Sequence, residues 1–97
     1  MSTTIQNRDY ILHQLGILDN IFCRSMMGEY LLYHNGTLFG GIYDNRLLIK
    51  PSKNNPQFNL PLAIPYQGAK PMYHIQNLQD QDLIKQVVLT TAKDLKK

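Results

Sequence analysis

Three histidines, a single cysteine and a pair of adjacent methionines are the side chains of this 97-residue chain most suited to metal or nucleophilic chemistry. His13, His34 and His74 lie far apart, and no carboxylate stands at ligand spacing to any of them, so neither a metal site nor a catalytic histidine is expected. Cys23 has Arg24 beside it, a cation that would lower a thiol pKa if the side chains met. Neighbours on a strand point to opposite faces, so a buried, inert thiol is expected instead. The same alternation keeps Met26 and Met27 from sharing a soft metal; one is expected in the core and the other in surface contact. Gly40-Gly41 lies inside a strand pattern with no helix after it, which does not make a nucleotide-binding loop. Ser25, Thr37, Ser52, Thr90 and Thr91 have no nucleophile-elbow context, and Asp44 reads as a turn residue. No catalytic residue and no cofactor is expected, and the chain reads as non-enzymatic.

The remaining candidate chemistry is recognition. Arg46 and Lys50 fall near Tyr30, Phe39 and Tyr43, and basic groups beside aromatics are what single-strand nucleic-acid binders use. No helix-turn-helix signature, RNP-type motif or arginine run accompanies them, and cross-strand aromatics commonly stabilise a sheet or a dimer. Protein contact is therefore preferred to direct nucleic-acid contact, which is kept as the alternative. Ten basic against seven acidic residues give a net charge of +3. Three of the lysines, Lys93, Lys96 and Lys97, end a candidate helix, where they complement its dipole.

These groups must be positioned by one small domain, expected over residues 1–97. Hydrophobic residues make up 43% of the chain and charged residues 18%, which argues against disorder. A lone cysteine excludes an internal disulfide, and the chain is expected in the cytoplasm. No apolar run approaches the roughly 18 to 20 residues that span a bilayer, and no signal-like segment opens the chain. All five prolines, from Pro51 to Pro71, fall in one central connector.

Tyr10, Ile11, Leu15 and Leu18 recur at helical intervals, predicting a helix over Arg8 to Leu18 with Asn7 as its cap. From Ile21 to Lys50 short β-rich runs alternate with turns, of which Asn35-Gly36 is the strongest hairpin signal and Asp44-Asn45 a second. Lys70 to Ile75 reads as a strand. Leu78 to Leu95 carries a continuous apolar stripe, predicting a long C-terminal helix capped by Asn77. The expected fold is α+β and two-layered, with about five antiparallel strands and both helices on one face.

The two turns fix a register by parity. Leu32 pairs with Phe39, and Gly41 with Leu48. Leu31, Tyr33, Leu38, Gly40, Ile42, Leu47 and Ile49 then form the face under the helices. Tyr30, Leu32, His34, Phe39, Tyr43, Arg46, Leu48 and Lys50 fall on the opposite face, which one helix layer leaves open, and these eight are the expected interaction surface. A bulge near Gly40-Gly41 or at Gly28 would reverse part of this parity.

The run Arg24, Met26, Met27, Gly28, Glu29 and Tyr30, then Gly36, Gly40, Gly41 and Lys50, and finally Pro65 and Tyr66, resembles in order and spacing the amino-terminal domain of the TfoX (Sxy) family over roughly residues 8–95. Many relatives have Met-Phe-Gly-Gly where this chain has Met26-Met27-Gly28-Glu29, marking a variant branch. The resemblance implies an α+β domain with helices on one side of its sheet. It also implies a regulatory role linked to competence for DNA uptake, exerted through protein contacts, with self-association through the open face as its simplest form. Longer members carry a second, helical domain, so the 97-residue chain is expected to be a single-domain variant.

Overall fold

The computed structural model describes residues 3–96. Helix α1 (Ile5–Gln14) runs into a 3-10 turn at Leu15–Ile17 and is followed by strands β1 (Ile21–Met26), β2 (Glu29–His34), β3 (Thr37–Tyr43) and β4 (Arg46–Ile49). The connector contains a 3-10 turn at Asn55–Phe58 and the short strand β5 (Leu62–Ala63); β6 (Met72–Ile75) and helix α2 (Gln81–Leu95) complete the chain. The strands form one antiparallel sheet in the order β1-β2-β3-β4-β6-β5. The fold is thus the α+β architecture expected, with β5 added at an edge.

Three two-residue turns build the meander. Met27-Gly28, Asn35-Gly36 and Asp44-Asn45 all have positive φ at both positions, from 49° at Asn35 to 85° at Gly28. That conformation matches the right-handed twist of paired strands, and Asn, Asp and Gly adopt it at least cost. Gly28 is therefore a backbone requirement. Met27, at φ 50°, holds a left-handed conformation that methionine disfavours, in a turn only Gly28 announces.

The helix ends differ from expectation by one turn or less. Thr4, not Asn7, caps α1, its hydroxyl accepting from the Asn7 N–H at 3.2 Å. Asp80, not Asn77, caps α2 by accepting from the Leu83 N–H at 3.1 Å. Asn77 accepts from the Gln79 N–H, shaping the preceding turn. Lys93 lies in the last turn of α2 and Lys96 just beyond it, as the dipole reading expects, while Lys97 lies outside the described residues.

The register departs from the expected one at a single residue. Both hairpin ends are as expected, with His34 opposite Thr37 and Tyr43 opposite Arg46. Between them Tyr33 pairs with Leu38 but Leu32 with Gly40, so Phe39 is an extra residue on β3, a bulge. One inserted residue turns over β2, together with Thr37 and Leu38, relative to the rest of β3 and to β4. Tyr30 and Leu32 consequently face the helices, whereas Leu31, Tyr33 and Leu38 face away. The core closes from Leu32, Phe39, Ile42, Leu47, Ile49 and Ile75 on the sheet against Ile11, Leu15 and Leu18 at one side and Ile84, Val87 and Val88 of α2 at the other.

The connector is tied down by polar contacts. Asn55, fully buried, donates to the Lys50 carbonyl and the Thr91 hydroxyl and accepts from the Ser52 N–H. Asp94 of α2 accepts from the Ser52 hydroxyl at 2.6 Å, the Asn54 N–H at 2.7 Å and the Asn54 side-chain amide. The Ser52 and Asn54 donors hold the Asp94 carboxyl below the usual carboxylate range. A carboxyl whose pKa is depressed by folding contributes stability above its unfolded pKa and loses it as pH falls through the folded value. Asp94→Asn is therefore expected to flatten the fall of the thermal midpoint between about pH 5 and about pH 3, where carboxylates titrate. Parallel acid limbs for the two proteins would show that the clamp does not act.

Candidate functional site

The sheet face away from the helices is covered on one half only. Tyr43 lays its ring over Gly41, so that a Cβ at Gly41 would stand 2.6 Å from the ring. The Tyr66 ring leans on Tyr43 with centroids 6.1 Å apart. Arg46 donates from Nε to the Tyr43 carbonyl and from Nη2 to the Ile64 carbonyl, both at 3.1 Å, strapping the connector across the sheet. Under this cover Leu48 is fully buried although it faces away from the helical core. The expectation of a wholly open face is corrected accordingly. A helix layer is absent there, but residues 64–66 take its place over β3 and β4.

Between that cover and the β1-β2 turn runs an open groove of about 760 Å³, walled by Met26 and Met27 on one side and Ile64, Pro65 and Tyr66 on the other. Met27 is 98% exposed at the turn tip, and Tyr66 is 60% exposed. The floor carries Glu29, Tyr43, Asp44 and Arg46. Glu29 is engaged within the fold: its carboxylate accepts from the Thr3 N–H and hydroxyl at 2.9 and 2.6 Å and from the Asp44 N–H at 2.7 Å. The Thr3 hydroxyl in turn accepts from the Asn45 N–H, and the Thr3 N–H also reaches the Gly28 carbonyl. Glu29 thus staples the N-terminal segment to two turns. Burial, then the neighbouring Tyr66 and Glu29, push the Tyr43 hydroxyl above its usual pKa, so it remains a neutral phenol.

The eight residues of the expected surface do not form one patch. Leu32 and Phe39 are fully buried in the core, and Tyr30 packs beneath the helices with the Arg8 guanidinium 5.3 Å from its ring centroid. His34 lies on the helix side, beside Leu89, Ala92 and Lys93. Tyr43, Arg46 and Leu48 do share the other face, yet only Arg46 is more than marginally exposed. Lys50 sits at the far end of the sheet beside Leu38 and Leu95, away from the groove. The cause is the Phe39 bulge for the β2 residues and Phe39, the connector cover for Tyr43 and Leu48, and for Lys50 its place at the end of β4 away from Arg46.

Of the other candidates, Cys23 is half-buried and faces the core; burial raises its thiol pKa, opposed by the Arg8 charge rather than by Arg24. Burial, then the Arg46 charge, lower the pKa of His74, which lies opposite Leu48. Met26 and Met27 are both exposed, so neither takes the core place expected for one of them. Among the described residues no three metal-ligating side chains converge. No helix of the described chain is long and apolar enough to cross a membrane. The exposed residues that sequence reasoning did not place on this face are Phe22, Met26 and Met27 of the first hairpin and Ile64 of the connector. The contact of Tyr66 with Tyr43 has no signature in spacing.

Fold and site together define a small α+β domain with a meander sheet, helices on one face and a groove of apolar walls and charged floor on the other. No protein-family model matches the sequence. The chain is similar to an uncharacterized 12.7 kDa protein in the trpE 5′ region of Spirochaeta aurantia, 33% identical over 72 residues, which are 72% of this chain and 63% of that protein. The chain therefore spans less than two thirds of the length of the curated relative it matches.

Proposed function

We propose that this chain is a regulatory or adaptor domain of the kind found at the amino terminus of TfoX proteins, acting by protein contact and without catalysis, and that its contact site is the groove between Met27 and Tyr66. The observation that carries this reading is a large apolar side chain held almost wholly in solvent, Met27 at 98% exposure, opposite an exposed tyrosine across a groove with apolar walls and a polar floor. Such a concentration of apolar and aromatic surface, with methionine's adaptable shape, is characteristic of a peptide-binding site. The charged groups on the floor support binding over catalysis, because Glu29 and Arg46 already spend their hydrogen bonds inside the fold. The same commitment weakens a nucleic-acid role, since Arg46 straps the connector and Lys50 stands elsewhere.

The occupant that fits is an apolar segment of a partner protein, with a role in control of transcription or competence following from the family resemblance. Met27→Asp combined with Tyr66→Asp is expected to cost only about 0.5 to 1 kcal/mol of stability, the loss of the Tyr43–Tyr66 ring contact, both sites being exposed. Anchor residues at interface centres carry about 2 kcal/mol or more, so partner retention should fall at least tenfold. Affinity capture on immobilised wild-type and variant protein, with nuclease treatment of the lysate, measures this. Capture that survives both substitutions, or that disappears with nuclease, overturns the proposal.

A further inference from the structure

The two edges of the sheet are built differently. The β5 edge is two residues long, Leu62–Ala63, and prolines stand at positions 61 and 65, which leaves little backbone for another strand to pair with. The β1 edge is six residues long, Ile21–Met26, with no proline, no bulge and a single charge, and no other element of the described chain pairs with it. Its hydrogen-bonding parity follows from the turn. A two-residue loop is closed by a hydrogen-bonded pair, here Met26 with Glu29, so Arg24 and Phe22 also bond to β2. The Asn35 N–H donating to the Asn20 carbonyl at 3.1 Å continues the same alternation. Ile21, Cys23 and Ser25 therefore direct their N–H and C=O groups outward from the sheet.

We infer that a second copy of this chain pairs with that edge, β1 antiparallel to β1, about a two-fold axis at Cys23. Three registers let more than one outward residue of each copy meet outward residues of the other, with the axis at residue 22, 23 or 24. An axis at Arg24 sets two guanidinium groups opposite each other, which is repulsive. An axis at Phe22 leaves Ser25 unpaired. An axis at Cys23 pairs Ile21 with the partner's Ser25 and Cys23 with the partner's Cys23, using every outward group of the strand. It also places Phe22, 60% exposed, directly across from the partner's Arg24 on the face away from the helices, twice over by symmetry. The edge is thus complementary to itself in hydrogen bonding, with each Arg24 set against a phenylalanine ring instead of another cation, and the product is a continuous sheet across two domains. This inference rests on the edge alone and is independent of the groove reading.

The register gives Phe22 a sign-dependent role that an apolar patch would lack. Phe22→Lys sets like charges opposite Arg24 at two symmetric positions and is expected to weaken the dimer by roughly tenfold or more. Phe22→Glu sets opposite charges there and should leave the dimer as tight as wild type or tighter. Sedimentation velocity over a concentration series reads both, with circular dichroism showing that each variant folds; Phe22 is exposed, so neither substitution disturbs the core. Tyr66→Asp should leave the dimer intact, which separates this result from that for the groove. A monomer at all concentrations, or equal weakening by Lys and Glu, would overturn the inference.

Discussion

Phe39→Ala is expected to destabilise the fold by about 3 to 5 kcal/mol, the range for deleting a buried phenylalanine. Domains of this size have only about 5 to 15 kcal/mol of stability, so much of it would be lost. The ring is fully buried among residues of the core, and the bulge that carries it gives β3 no neighbouring side chain able to slide into the space. Phe22→Ala is the matched comparison. Phe22 is 60% exposed, with the Tyr33 ring 6.0 Å away between centroids, so its loss should cost about 0.5 to 1 kcal/mol. Urea unfolding of the two variants separates the cases. If Phe39 were a contact residue on an exposed face, the midpoint would hardly move, and equal midpoints for the two variants would refute its place in the core.

That pair of phenylalanines shows how far local pattern can be read. The α+β class, the two helices, both hairpin turns and the β3-β4 register follow from periodicity and from Asn and Gly chemistry at Asn35-Gly36 and Asp44-Asn45. These are local quantities, decided within a few residues. The faces of β2 are not. They depend on one extra residue at Phe39, and a phenylalanine in a bulge has the same β propensity as one in a regular ladder. Gly40-Gly41 marks the region of the irregularity but not its position. Because strand parity is binary, a one-residue displacement carries Tyr30, Leu32 and Phe39 from the expected contact surface into the core, and Leu31, Tyr33 and Leu38 the other way. The groove is still less legible. Its far wall is residues 64–66, brought to the sheet by Arg46 reaching the Ile64 carbonyl, a long-range bond between a strand and a proline-rich segment with no periodicity to announce it.

The bulge also explains why glycine follows it. A Cβ at Gly40 would stand 2.2 Å from the Leu48 carbonyl oxygen and 3.1 Å from the Ile49 Cα, both backbone atoms of the neighbouring strand. Neither can rotate aside. To admit a methyl group, β3 and β4 must separate where Gly40 pairs with Ile49 and where the Lys50 N–H donates to the Phe39 carbonyl at 2.9 Å. Gly40→Ala is therefore expected to cost roughly 3 kcal/mol or more, at or beyond the upper end for overpacking a core. Gly41→Ala meets the Tyr30 carbonyl oxygen at 2.6 Å and the Tyr43 ring at 2.6 Å, and part of its strain can be relieved by moving the ring. The ring that moves is the one against which Tyr66 rests, so Gly41→Ala should disturb the groove as well as stability. Gly16→Ala provides the control, because nothing lies within 4 Å of its Cβ position and its φ is not positive. There the lost freedom of the unfolded chain should stabilise the protein by about 0.4 to 1 kcal/mol. Denaturant midpoints ordered Gly16→Ala above wild type and Gly40→Ala lowest would follow from the close approach of β3 to β4. A Gly40→Ala protein within about 1 kcal/mol of wild type would mean that the strands part more easily than a paired ladder allows.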